Sequence, residues 1–181
     1  MTSSDSLKKP ICVDLDGTLV RNDVTMMALK MYIAKNILRI FKVFYWFLHG
    51  RAHLKHKLAK NVSLDASSLD YNRKFLDFII GERKKGRRIF LATACNQNYA
   101  HEIADFLNIF DGVFASNEHV NLRAEAKAMA LKAIFGQNGF VYAGNSKDDI
   151  KVWDSSAECI LVAPQKTALK KMQGKKYVLF E

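Results

Sequence analysis

At 181 residues, 49% of them hydrophobic and only two of them proline, the chain has the size and apolar content for one cored domain with room for an inserted subdomain, and little for a disordered linker. Its three cysteines, Cys12, Cys95 and Cys159, follow neither a disulfide nor a zinc spacing, and the first apolar run is too short and too broken by carboxylates for a secretory signal, so a reducing cytoplasm is expected. The net charge of +10 is concentrated: residues 20–60 carry nine Lys/Arg against the single acid Asp23, and residues 161–181 carry five lysines against Glu181.

Residues 1–9 read as loose. Ile11-Cys12-Val13 then reads as a short buried strand that opens into a loop at Asp14-Leu15-Asp16-Gly17-Thr18. Two carboxylates two residues apart point the same way on an extended chain. Such like charges are costly unless a cation or a shared proton relieves them. A hard divalent ion with oxygen ligands, Mg2+, suits the arrangement. The competing reading is an Asp-rich turn that caps the next helix, Asp-Gly being a common turn dipeptide.

Asn22 or Asp23 offers an N-cap, residues 24–48 run free of Gly and Pro, and Gly50 closes the run. Two or three helices forming a small cap are expected over residues 22–70, set into a core made of residues 10–21 and 71–181. Residues 37–48 are the most apolar and aromatic passage of the chain. They are too few, and too interrupted by cations, for a membrane span of about 20 residues. Three accounts compete for this passage. Its aromatics are buried against the rest of the fold; or residues 37–60 form a basic amphipathic surface that rests peripherally on an anionic membrane; or they bind nucleic acid, a partner not expected because no reading motif accompanies the charge. His49, His53 and His56 have helical spacing but no acidic companion, and read as a solvated helix face.

From residue 71 helix and strand alternate. A helix around residues 75–80 ends in Arg83-Lys84-Lys85-Gly86, and a strand over 88–92 runs into Thr93. Next come a helix over 98–107, a strand over 112–115 into Ser116, and a helix over 123–135. A strand over 139–143 into Gly144, a short helix over 147–155, a strand over 159–162 and an edge strand over 176–180 complete the pattern. Strands separated by helices imply right-handed crossovers and an α/β fold, a parallel sheet with helices on both faces.

In such a sheet, ligands bind beyond the carboxyl ends of the strands. Asp14 and Asp16 end the first strand, and Thr93 ends the second with Ala94 beside it. Lys127 lies early on a helix, four residues after Arg123, and Gly144-Asn145-Ser146-Lys147-Asp148-Asp149 ends a later strand. Singly, each has a plain reading: Thr93 a helix cap, Lys127 a solvated lysine, Asp148 and Asp149 first-turn acids favoured by the helix dipole. Jointly they read as phosphoryl transfer through an aspartyl-phosphate. A carboxylate nucleophile splits hydrolysis into two easier steps, a divalent ion offsets its repulsion from phosphate, and a lysine with hydroxyl or amide donors stabilises the equatorial oxygens.

The order of these four sets, over residues 11–162, resembles the haloacid dehalogenase (HAD) superfamily. That resemblance implies a HAD-like Rossmannoid sheet with a helical cap inserted after the first strand, and a Mg2+-dependent phosphatase. By the same resemblance Asp14 is the nucleophile and a metal ligand, and Asp16 is the general acid/base with its carbonyl on the metal. Thr93 and Ala94 bind the phosphoryl oxygens, and Lys127 neutralises Asp14 and the substrate. An acid at position 16 favours a phosphatase over a dehalogenase. The fourth motif departs from the commoner Gly-Asp: Asn145 ligates without charge, so that Asp149, with Asp148 as a further candidate, is left to supply the second carboxylate, directly or through water.

A narrower resemblance lies in Asp14 to Thr18, Gly50-Arg51-Ala52-His53-Leu54-Lys55, Leu91-Ala92-Thr93-Ala94, Asn121-Leu122, Tyr142-Ala143-Gly144-Asn145-Ser146 and Val152-Trp153. These look like the soluble HAD-like domain found ahead of UbiA-type membrane prenyltransferases, some relatives of which are linked to dephosphorylating polyprenyl-phosphate sugars. With no prenyltransferase helices in the sequence, the expectation is a stand-alone version or one domain of a longer protein. Substrate choice is expected to reside in residues 22–70, whose basic and aromatic character suits a lipid-linked phosphate as well as a small phosphorylated molecule. The rival expectation is a non-catalytic accessory module that binds a membrane prenyltransferase or an anionic lipid.

Overall fold

The structure, a computed structural model, describes residues 8–181, so the expectation of a loose segment over 1–9 falls almost wholly outside it. β1 (Ile11–Val13) lies between β2 (Ile89–Asn96) and β4 (Val141–Gly144), with Val13 paired to Leu91 on one side and Ala143 on the other. β3 (Gly112–Ser116) extends the sheet beyond β2, while β5 (Glu158–Val162) and β6 (Val178–Phe180) extend it beyond β4. All pairings are parallel, in the order β3-β2-β1-β4-β5-β6. The chain winds outward in one direction to β3 and in the other from β4. The crevice beyond the carboxyl ends of β1 and β4 is therefore the topological switch point, where open α/β sheets bind ligands.

β1 is apolar at every position because it is covered on both faces. Ile11 and Val13 face one apolar cluster and Cys12 faces the other. The first cluster takes Phe75 and Ile79 of α4 (Arg73–Lys84) and Tyr99 and Ile103 of α5 (Gln97–Leu107). The second takes Ala128 and Leu131 of α6 (Glu125–Phe135), Val152 and Trp153 of α7 (Ile150–Trp153), and Ala168 of α8 (Lys166–Lys171). The sequence pattern did not announce α8, because its lysines hide a short apolar contact through Ala168 and the following Met172.

Between β1 and β2 the chain leaves at Val20 and returns at Tyr71, two residues that bridge antiparallel. The Arg21 N–H donates to the Asp70 carbonyl and the Asn72 N–H to the Leu19 carbonyl, both at 2.9 Å. The intervening residues form α1 (Val24–Ala34), α2 (Arg39–Leu48), α3 (Arg51–Asn61) and a 3-10 turn at Ala66–Ser68. Asp23 is the N-cap of α1, its side chain accepting the Met26 N–H at 2.8 Å. Val24, Ala28 and Tyr32 of α1 and Leu58 of α3 belong to the same cluster as Ile11 and Val13, so the inserted helices share the core of the sheet.

α2 departs from the burial account of residues 37–48. None of its residues is buried, and Phe41 and Phe44 are 71% and 62% exposed. Only Val43 and Trp46 pack inward, Trp46 against the Tyr32 ring at 5.2 Å between centroids. Among the described residues no helix is long and apolar enough to cross a membrane. The histidines of α3 also depart from a solvated face. Glu118, in the loop after β3, lies 3.6 Å from His53 and 3.2 Å from His56, and His56 is buried. The acid that the spacing lacked comes from a distant part of the chain.

Candidate active site

Asp14 is the first residue past β1, its N–H donating to the Ala143 carbonyl of β4 at 2.9 Å, so its side chain stands at the switch point. The loop then tightens: the Gly17 N–H donates to the Val20 carbonyl at 2.7 Å, with Gly17 at φ +75°. Glycine is required there twice over. The dihedral favours it, and a Cβ would run into the Asn145 side chain. The loops after β1 and β4 are thus in contact.

α6 carries Lys127 into the space beneath them. Its ammonium is buried and donates to Asp14 Oδ1 and to the Tyr142 hydroxyl, each at 2.8 Å. Tyr142 donates in turn to Asp149 Oδ1 at 2.7 Å, and Lys127 lies 3.6 Å from that same oxygen. Burial works against the charge on Lys127, but the carboxylates of Asp14 and Asp149 outweigh it and hold the lysine above its ordinary pKa. Burial pushes Asp14 up to about 6; Lys127 pulls the other way and Asp149 adds to the rise.

Asp16 is held differently. Its Oδ1 accepts the N–H of Val24, the first residue of α1, at 2.8 Å, which fastens the inserted helices to the loop after β1. Burial, then the neighbouring charge of Asp23, push its carboxyl up to about 7, only partly opposed by the Val24 hydrogen bond. That value suits a group that must both give and take a proton near neutrality.

The remaining expected residues divide. Asn145 lies in the site against Gly17. Asp149, expected to serve the metal directly or through water, is held by hydrogen bonds at both oxygens. Its Oδ2 accepts the N–H groups of Asn145 and Ser146 and the Ser146 hydroxyl at 2.9–3.1 Å, and its Oδ1 accepts from Tyr142. With both oxygens engaged, it fixes Lys127 and the Asn145 loop in place. Asp148 points elsewhere, paired with the Arg123 guanidinium at 2.6–2.7 Å. β2 runs on to Asn96 instead of ending at residue 92, so Thr93 lies inside the strand and is fully buried, its hydroxyl accepting the Cys95 N–H at 2.9 Å; the cavity wall there is Ala94.

Two members of the site were not legible as such. Tyr142 looks like one more apolar strand residue, yet its hydroxyl joins Lys127 to Asp149. Lys55 of α3 reaches across to donate to the Ala94 carbonyl at 2.5 Å and Asn121 Oδ1 at 3.3 Å, and burial lowers its pKa. The only signal for Lys55 was its place in the Gly50 to Lys55 stretch. Together these groups border a cavity of about 590 Å³. Asp14, Asp16, Lys127 and Asn145 line its floor; Met26, Leu29, Phe47, Leu54 and Leu58 of the inserted helices line an apolar wall; Arg21, Arg51, Lys55 and Arg123 bring positive charge.

The donor set suits a hard divalent cation. No group of three His, Cys, Asp or Glu side chains placed to hold a metal occurs among the described residues. The residues that would hold such an ion are Asp14 through its carboxylate, Asp16 through its carbonyl and Asn145 through its amide oxygen, an all-oxygen set of the kind Mg2+ takes. The geometry points the same way: two buried carboxylates, Asp14 and Asp149, face one buried lysine, and a cation would offset the remaining negative charge.

No family model matches the chain. An uncharacterised protein, y4nM, from Sinorhizobium fredii is 35% identical over 158 residues, 86% of this chain; the chain spans only 30% of that relative's length. A substrate-bound phosphoserine phosphatase superposes with a TM-score of 0.69 at 15% identity, over 98% of this chain and 94% of its own. A HAD family hydrolase from Salmonella enterica serovar Typhi superposes with a TM-score of 0.65 at 11% identity, over 90% of this chain and 66% of its own. At these identities the likeness establishes the fold, which is the HAD-like α/β fold.

Proposed function

We propose that the chain is a Mg2+-dependent phosphomonoester hydrolase that works through an aspartyl-phosphate on Asp14. The observation that carries this reading is the buried Asp14–Lys127 pair at the switch point, with a second acid, Asp16, held near neutrality two residues on. Mg2+ bound by Asp14, the Asp16 carbonyl and Asn145 would supply charge that lets a carboxylate approach an anionic phosphate. Lys127 holds Asp14 Oδ1, orienting the carboxylate for attack on phosphorus. As the bond from phosphorus to the ester oxygen breaks, protonated Asp16 gives its proton to the leaving alkoxide. Asp16, now a carboxylate, then takes a proton from the water that attacks the phosphorus, releasing phosphate and restoring Asp14.

The cavity supports a substrate that is anionic at one end and apolar at the other. Its floor and cationic rim suit a phosphate, and its wall of Leu29, Leu54 and Leu58 suits a hydrocarbon, as in a lipid-linked phosphate. The test is hydrolysis of p-nitrophenyl phosphate and of polyprenyl phosphates with and without Mg2+, comparing wild type with Asp14→Asn. Metal-dependent release of phosphate that Asp14→Asn reduces to background is expected; unchanged turnover in that variant removes Asp14 as nucleophile. The uncharged Asn145 favours a second reading, an accessory module that binds a membrane prenyltransferase or lipid without turnover. Folded, Mg2+-supplied protein inert on every phosphate of the panel would support that reading.

A further inference from the structure

A helix on the surface of a water-soluble fold normally turns its apolar stripe inward. α2 carries a second apolar stripe that faces outward. Phe41, Phe44 and Leu48, at spacings of three and four, form it, continued by Ile37, with Ile40 and Tyr45 beside it, and all six are exposed. The inward side is already occupied: Val43 and Trp46 pack on the core, and beside them Arg39 donates to the Tyr32 carbonyl at 3.4 Å, its guanidinium 4.7 Å from the Tyr32 ring centre. Contiguous apolar surface of this kind marks an interaction site.

The surrounding charge says what covers it. Residues 24–60 contain eight Lys/Arg and no Asp or Glu. Lys30, Lys35 and Lys42, on or beside the two helices that form this corner, are exposed. Among the described residues the only carboxylate that lies within ion-pair distance of this segment's side chains is Glu118, and it is engaged with His53 and His56. A second copy docking by two-fold symmetry would bring the same cations against themselves. An anionic bilayer offers what the patch lacks: negative headgroups for the lysines and an apolar boundary for Phe and Leu side chains, with Tyr45 at the interface.

We propose that the outward face of α2 is a docking surface for anionic membrane, seated with Phe41, Phe44 and Leu48 at the headgroup–acyl boundary. Phe47, on the flank of the same helix, lines the cavity together with Arg51. Docking therefore brings the apolar wall of the cavity to the bilayer, and it rests on exposure and charge whatever the reaction in the cavity.

The test is co-sedimentation with vesicles of phosphatidylcholine alone and of phosphatidylcholine with phosphatidylglycerol, with no phosphate substrate present. Wild type should pellet with the phosphatidylglycerol vesicles only, and less as salt is raised. Phe41→Glu/Phe44→Glu should weaken binding about tenfold or more, with unchanged circular dichroism and unchanged p-nitrophenyl phosphate hydrolysis. Ile37→Ser/Leu48→Ser probes the same stripe independently should the first variant fold poorly. Lys30→Gln/Lys35→Gln/Lys42→Gln should abolish the preference for phosphatidylglycerol. Absence of binding to either vesicle, binding indifferent to both apolar pairs, or a dimer that Phe41→Glu/Phe44→Glu converts to monomers would each overturn the proposal. The vesicle assay contains no substrate, so it fails or succeeds separately from the phosphatase reading.

Discussion

Asp14 and Asp16 lie on the same turn of chain and meet opposite surroundings. Asp14 is bonded to a buried lysine that keeps it available as a carboxylate, whereas Asp16 is bonded to a backbone N–H and has Asp23 as its charged neighbour. Burial raises both carboxyls, to about 6 and about 7, and it is the partner of each, a lysine for Asp14 and a backbone N–H for Asp16, that suits them to separate chemical parts. Asp16→Asn keeps the side-chain shape and an oxygen for the Val24 N–H, and removes only the exchangeable proton. Turnover should fall by about 10² to 10⁴, with both formation and hydrolysis of the aspartyl-phosphate slowed in single-turnover measurements. Wild-type rates in that variant would move the acid/base to another group. The first half of this pairing was readable from Asp14-Leu15-Asp16-Gly17-Thr18 as letters. The relay from Lys127 through Tyr142 to Asp149 was not, because it depends on three side chains converging from α6, β4 and the loop after it.

At the scale of elements, the end of α4 shows how the basic runs of this chain are stabilised. Glu82 accepts from Lys85 at 2.8 Å and from Arg87 at 2.9 Å, and Arg87 also donates to the Lys9 carbonyl, which ties the turn before β2 to the segment before β1. The hydrogen bonds from Lys85 and Arg87 hold the Glu82 carboxyl below its ordinary value of 4.5. The folded protein therefore binds that proton less readily than the unfolded chain. The contribution is complete above about pH 4.5 and is lost as pH falls through the folded pKa. Glu82→Gln should cost about 1–3 kcal/mol at pH 7, and the gap from wild type should shrink in denaturation curves taken at progressively lower pH below 4.5. A gap independent of pH would show that the carboxylate charge contributes nothing. From the letters alone, Arg83-Lys84-Lys85-Gly86 identified the helix end; the partner of each charge needed the turn to be built.

For the molecule as a whole, the inserted helices and the sheet share one apolar cluster, so they should unfold together. Leu58, on α3 and fully buried among residues of the sheet, is the residue that tests this. Leu58→Ala should destabilise the entire fold by about 2–5 kcal/mol, in a single transition followed equally by far-ultraviolet dichroism and by the fluorescence of Trp153, which lies under the opposite face of the sheet. Two separated transitions would show instead that the insertion melts by itself.

The sequence by itself determined the α/β alternation, the strand ends that carry Asp14 and Gly144, and the position of an inserted helical segment. These depend on short-range periodicity and on Gly, Asp and Asn at turns, which leave a local trace. Only the tertiary structure decided how the long-range partners fall. It buried Thr93 and put Ala94 on the cavity wall, engaged one oxygen of Asp149 with Tyr142 and the other with the Asn145 loop, and brought Lys55 over from α3. It also turned the aromatic stripe of α2 outward, although apolar periodicity alone predicts burial. Periodicity states that a face is apolar; whether protein or something else covers it depends on which surfaces the rest of the chain has already filled.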